Sequence, residues 1–166
     1  MAVAALTISI VACGTETVTT ATTSVETTSY ADSMKKMVPA SPDDLAAFER
    51  VDIALGGEKW TVAVADTRSL RSQGLMGVTE LKVDGMLFIF ESSVQVSFHM
   101  QDTLIPLDIA FFADDGSLVD RFTMTPCNEV PCPIYPAAGP ARYAIETTAG
   151  GFGELDSLVL DVASGW

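Results

Sequence analysis

Apolar and polar residues alternate along most of the chain from Val51 to Val162, and the period is that of strands. Val51–Leu55 and Lys59–Ala65 alternate on either side of Gly56-Gly57, which predicts a hairpin. Met86–Glu91 is a continuous apolar run, the pattern of a buried strand. Val94, Val96, Phe98 and Met100 alternate with Gln95, Ser97, His99 and Gln101. That predicts a half-buried strand with His99 on its polar side. Leu107–Ala113 and Ser117–Met124 flank Asp115-Gly116, the strongest hairpin signal in the chain. Tyr143, Ile145 and Thr147 alternate with Arg142, Ala144 and Glu146, and Leu158–Val162 predicts a last strand. Helix signals are short. Ser41-Pro42-Asp43-Asp44 offers an N-cap, a Pro at the first helical position and acids in the first turn, so Leu45–Glu49 predicts one or two turns. Asp66 is placed to cap a short helix through Arg71 that ends at Gly74. No internal repeat is visible. The expected fold is mainly β: a single-domain β-sandwich or distorted barrel with one or two short helices.

The N-terminal segment follows another logic. Ala2–Ala12 is apolar with Thr and Ser, the length of a signal h-region, and ends at Ile10-Val11-Ala12-Cys13. Those four residues resemble a bacterial lipobox, in which the Cys receives a diacylglyceryl group and becomes the mature N-terminus. A positive n-region is missing, since the first basic residue is Lys35. Either translation starts further upstream or the signal is weak. The stretch that follows, Gly14 to Ala40, is rich in Thr and Ser near its start and reads as a flexible tether. The expected organisation is signal and lipobox over 1–13, linker over 14–40 and a β domain over 41–166. The expected localisation is extracytoplasmic, held at a membrane by lipid on Cys13.

Composition narrows the partners. The 166 residues are 48% hydrophobic, enough for a core, and no 18-residue apolar run offers a spanning helix. Nine basic residues face 22 acidic ones, for a net charge of −13. That field repels phosphate backbones and disfavours nucleic acid, and no basic patch suits an anionic lipid surface. Contact with a membrane is expected through the lipid anchor only.

Cys127 and Cys132 lie in Pro-Cys-Asn-Glu-Val-Pro-Cys-Pro. A disulfide is the simplest reading for an exported chain, worth roughly 2 kcal/mol for so short a loop. A zinc pair lacks a second pair or a nearby His, and a redox pair usually has two intervening residues where this one has four. Cys13 is then the odd thiol, and lipidation accounts for it.

Three blocks resemble the DUF192 family. The first is Arg71, Gly74, Leu75 and Met76; the second is Gly85, Met86, Leu87 and Phe88. The third runs from Phe98 to Ile109 as Phe-His-Met-Gln-Asp-Thr-Leu-Ile-Pro-Leu-Asp-Ile. His99, Gln101 and Asp102 stand where the family has Trp, Lys and Asn. The Cys pair followed by Pro-x-Tyr, and the Tyr-Ala-Ile-Glu strand ahead of Gly150-Gly151, also look like its exported members. The resemblance implies a domain over about Val51 to Val162, in a family without assigned biochemistry. If the third block lines a site, exchange of a stacking ring and a cation should change its ligand.

Candidate chemistry is sparse. Asp108 lies between core-facing Leu107 and Ile109 and so points to the other face. The polar face around it is the expected functional patch, with Arg71, His99, Asp102, Thr103, Arg142 and Glu146 as further ligand-binding candidates. The competing role for Asp108 is structural, pairing with Arg71 or Arg142 or capping backbone donors. A hydrolase acting on glycan would use Asp108 and Glu146 as acid and base, or His99 with Asp102 as base and orienter. No nucleophile motif supports it. A copper protein would use Met76, Met86, Met100, Met124 and His99, but buried Met at such spacings is usually core filler. No motif asks for a cofactor or metal. The reading preferred is a cell-envelope binding or accessory module, its partner a small molecule, a glycan or an envelope protein.

Overall fold

The computed structural model describes residues 44–153 and 158–161. The signal, the lipobox with Cys13, the linker and the Ser41-Pro42-Asp43 start lie outside the described residues. Strands β1 (Glu49–Leu55) and β2 (Glu58–Ala65) form the expected hairpin. Gly56 and Gly57 both have positive φ, 59° and 83°, as its two-residue turn demands. Helix α1 (Arg68–Gln73) then carries the chain over to β3 (Gly85–Val94), which pairs parallel to β2. Short β4 (Ser97–His99) follows, then β5 (Leu107–Phe112), β6 (Leu118–Met124), short β7 (Ile134–Pro136) and β8 (Ala141–Thr148). The main sheet has the order β1-β2-β3-β8-β5-β6, and β4 pairs with β7 in a second, two-stranded sheet. The result is a β-sandwich-like domain, and no closed barrel forms among the described residues.

Both faces of the main sheet are buried, which explains the continuous apolar run in β3. Met86 and Phe88 join Leu107, Ile109, Phe111 and Met124 on one face, beneath α1 and the small sheet. Leu87 joins Ile53, Leu55, Val62, Phe112 and Ile145 on the other. There Phe152 stacks on Trp60 at 5.7 Å, and Leu158 and Leu160 close the cluster.

Four local expectations are corrected. Thr67, not Asp66, caps α1: its hydroxyl accepts from the Leu70 amide at 3.2 Å, the residue three positions on. The strand expected over Val94–Gln101 is divided. Val94 ends β3 beyond a register shift, and the chain turns after His99, where the Met100 carbonyl accepts from Thr103 and Cys127. The first helix is a 3-10 turn over Asp44–Ala47. The last strand is reduced to isolated bridges, Leu55 with Leu160 and Ser117 with Val159, and Val162 lies outside the described residues. Cys127 and Cys132 are joined in a disulfide.

Candidate binding pocket

The first face of the sheet carries a cavity of about 290 Å³ between α1 and β4. Thr67 starts α1 and Gly74 ends it, and the Gly74 amide closes on the Leu70 carbonyl. The turn is anchored from below. Arg71 Nη1 donates to the carbonyl of Asp66 and, at 2.8 Å, to that of Ile89, while its guanidinium lies 5.3 Å over the Phe90 ring. One arginine thereby ties α1 to β3 and fixes one wall. Phe98 in β4 forms another, edge-on to Phe88 at 5.0 Å and to Phe111 at 5.6 Å. Thr103 is buried and His99 exposed; both line the cavity.

Glu146 in β8 also lines the cavity, on the strand position opposite Ile109. The residue is only 5% exposed. No described cation or hydrogen-bond donor meets its side chain. Every fully enclosed side-chain nitrogen and oxygen among the described residues is hydrogen-bonded, so the Glu146 carboxyl, lacking a partner, must stay open to the cavity. Burial pushes its pKa from an ordinary 4.5 up to about 8. Strand β3 approaches closely here because Gly85 has no side chain: a Cβ there would lie 2.7 Å from the Glu146 carbonyl oxygen.

The structure brings four sequence candidates together: Arg71, His99, Thr103 and Glu146. Asp102 is exposed, and its positive φ of 57° forms a turn whose carbonyl accepts from Gly77. Arg142 lies 3.9 Å from Asp114 and over the Tyr143 ring, away from the pocket lining. Asp108 is not at the centre of a patch with the others. It shares the opposite face with Ala110 and Phe112, where one carboxyl oxygen accepts from the Thr123 hydroxyl at 2.6 Å and the other from the Gly150 amide at 2.7 Å. Of the two roles weighed for it, the geometry matches backbone capping, and the ionic partners Arg71 and Arg142 are engaged elsewhere. A separate cleft of about 230 Å³ adjoins it, with Phe122 and Phe152.

The paired-carboxylate hydrolase is corrected by the same register. Asp108 faces Thr147 and Ile109 faces Glu146 across β5 and β8, so the two carboxyls leave opposite sides of the sheet. The copper set fares no better, since Met86, Met100 and Met124 are packed in the first core, which leaves Met76 and His99 of the set on the cavity. Sequence reasoning missed Ser72, Gln73, Ser97 and Phe90 as lining residues. The signal was available in part: a helix that follows one strand and crosses to the next presents its polar face to whatever lies beyond the sheet.

Three signature blocks and the Glu146 strand, far apart in sequence, therefore meet at one cavity. The chain belongs to the DUF192 family, described as an uncharacterized ACR, whose model matches residues 51–161. Two crystal structures are similar to it. One, of a protein from Sinorhizobium meliloti 1021 proposed to be a transcription regulator, is 31% identical with a TM-score of 0.59 and covers 68% of this chain and 92% of its own. The other, of a protein of unknown function from Novosphingobium aromaticivorans DSM 12444, is 28% identical with a TM-score of 0.59 and covers 70% and 87%. No curated protein matches the chain at a significant level.

Proposed function

We propose that this chain is an exported, lipid-anchored binding module of the cell envelope whose ligand occupies the Glu146 pocket. One observation carries the binding reading: Arg71–Met76, Phe88, Phe98, His99, Thr103 and Glu146 converge on a concave site that holds a buried carboxyl without a partner. A fold gains nothing from such a group, because burying an unpartnered carboxyl costs stability. A ligand that supplies the partner recovers that cost. Export and lipid attachment rest on the Ile-Val-Ala-Cys motif and the Thr-rich tether. The net charge of −13 argues against extending the regulator description of the Sinorhizobium protein to DNA binding here. Binding is favoured over catalysis because the two carboxyls of the hydrolase scheme are on opposite faces of the sheet.

The experiment is a thermal-shift screen of the full chain with sugars, cell-wall fragments and small organic ions, repeated on Glu146→Gln and Asp108→Asn. Ligands that bind the native state raise the melting temperature by mass action. The expected result is a shift lost in Glu146→Gln and kept in Asp108→Asn. Shifts that survive Glu146→Gln and vanish in Asp108→Asn would move the site to the opposite face.

A further inference from the structure

We propose that the ligand of this pocket is a small organic cation, with an ammonium or guanidinium group set against the Glu146 carboxyl and its carbon frame on Phe88 and Phe98. This rests on the reading of the pocket as a binding site and adds the chemical class of its occupant. Glu146 is the one carboxyl on the cavity, beside Phe88, Phe98 and buried Thr103, and no described side chain makes an ion pair with it. Against a buried carboxylate, a contacting cation is a stronger partner than a neutral hydrogen-bond donor. Aromatic walls suit a cation that carries a hydrocarbon frame.

The other charged or titratable groups on the cavity are Arg68 and Arg71 from α1 and His99 from β4. Arg71 is held by two backbone carbonyls and the Phe90 ring, and burial raises the Glu146 pKa. Arg68 is exposed at the mouth, where salt and water screen it. The net charge of −13 draws cations to the whole molecule. No covalent bond changes on binding. The carboxyl gives its proton to the buffer as the cation docks, and the ion pair takes the place of the O–H bond.

The experiment is titration calorimetry of the full chain with benzylammonium, benzyl alcohol and benzoate, three probes of similar frame and different charge. Measurements from pH 6 to 9 use buffers of different ionisation enthalpy. The expected result is that benzylammonium binds at least tenfold more tightly than the other two and releases a proton below pH 8. Its affinity then rises about tenfold per pH unit up to about 8, where the carboxyl is ionised without help. Glu146→Gln is expected to weaken benzylammonium at least tenfold and to leave benzyl alcohol unchanged. Proton release by the native chain tests the proposal even if that variant folds poorly. Tighter binding of benzyl alcohol or benzoate, sensitive to Glu146→Gln, would overturn the cation and leave the pocket standing as a binding site. Binding of no probe, or binding indifferent to Glu146→Gln, would overturn both readings.

Discussion

At the scale of single residues, Glu146 is a carboxyl that the fold shelters from water and does not pair. Its pKa of about 8 in the folded chain against an ordinary 4.5 makes stability depend on pH. Between those values the folded state holds a proton that the unfolded state has released. The native state is thus least penalised below pH 4.5, and stability falls by up to about 1.4 kcal/mol per unit as pH rises toward 8. Glu146→Gln, which cannot ionise, should flatten the denaturation midpoint between pH 5 and 8 and leave the variant the more stable form at pH 8. Parallel curves for the two proteins would contradict this. Asp108 makes the contrasting case, since both its oxygens accept from the protein itself. Asp108→Asn removes the charge from both hydrogen bonds: its oxygen can keep the Gly150 amide, while its NH2 meets the Thr123 hydroxyl, which must turn to accept. The expected cost is about 1–3 kcal/mol in urea denaturation, with probe binding in the Glu146 pocket unchanged. An equal stability with lost binding would make Asp108 a ligand contact after all.

At the scale of elements, strand alternation was legible because it reports which side of a sheet each residue faces. It placed the β1–β2 hairpin at Gly56-Gly57, the buried β3 and the turn at Asp115-Gly116. It also put Asp108 opposite Leu107 and Ile109, which is correct. What alternation could not report is which strands become neighbours. Glu146 and Asp108 lie on adjacent strands, and only the pairing of Asp108 with Thr147 reveals that their side chains diverge. The cap of α1 is ambiguous in the sequence for a local reason, because Asp66 and Thr67 are both good capping residues and only the backbone angles decide between them. The close contact of β3 and β8 has a testable consequence. Gly85→Ala would drive a methyl toward the Glu146 carbonyl, so the strands must separate. A loss of about 1–3 kcal/mol is expected, read by thermal denaturation, together with weaker probe binding. Wild-type stability in Gly85→Ala would show that β8 can give way freely. The disulfide acts on the neighbouring element. Cys127 bonds through its amide to Met100, just past β4, and the loop it closes leads into β7. Replacing both cysteines with Ser should cost about 2 kcal/mol and speed hydrogen exchange in β4 and β7 before the main sheet.

At the scale of the whole molecule, the family blocks are a pattern in the sequence, whereas their meeting place depends on the strand order. Arg71, Gly74, Phe88, Phe98 and Glu146 were separated by up to 75 positions, and the parallel crossover through α1 brings them to one cavity. His99 is the one departure from the family pattern that lines it, whereas Gln101 and Asp102 are exposed, so the exchange of Trp for His is the change expected to alter ligand preference. The proposed placement of the domain at a membrane is a separate matter and rests on Cys13. Cys13→Ser should move the protein from the membrane fraction to the soluble fraction or medium, because lipid is the expected anchor. Retention in the membrane fraction would contradict that. In the proposed function, the face bearing Glu146, and not the face bearing Asp108, takes the ligand. The most direct measurement is chemical-shift mapping on the isotope-labelled full chain with benzylammonium, benzyl alcohol and benzoate. Perturbations are expected at Ser72, Gln73, Phe88, Phe98, Thr103 and Glu146; perturbations gathered at Asp108, Phe122, Thr123 and Phe152 would place the ligand on the opposite face.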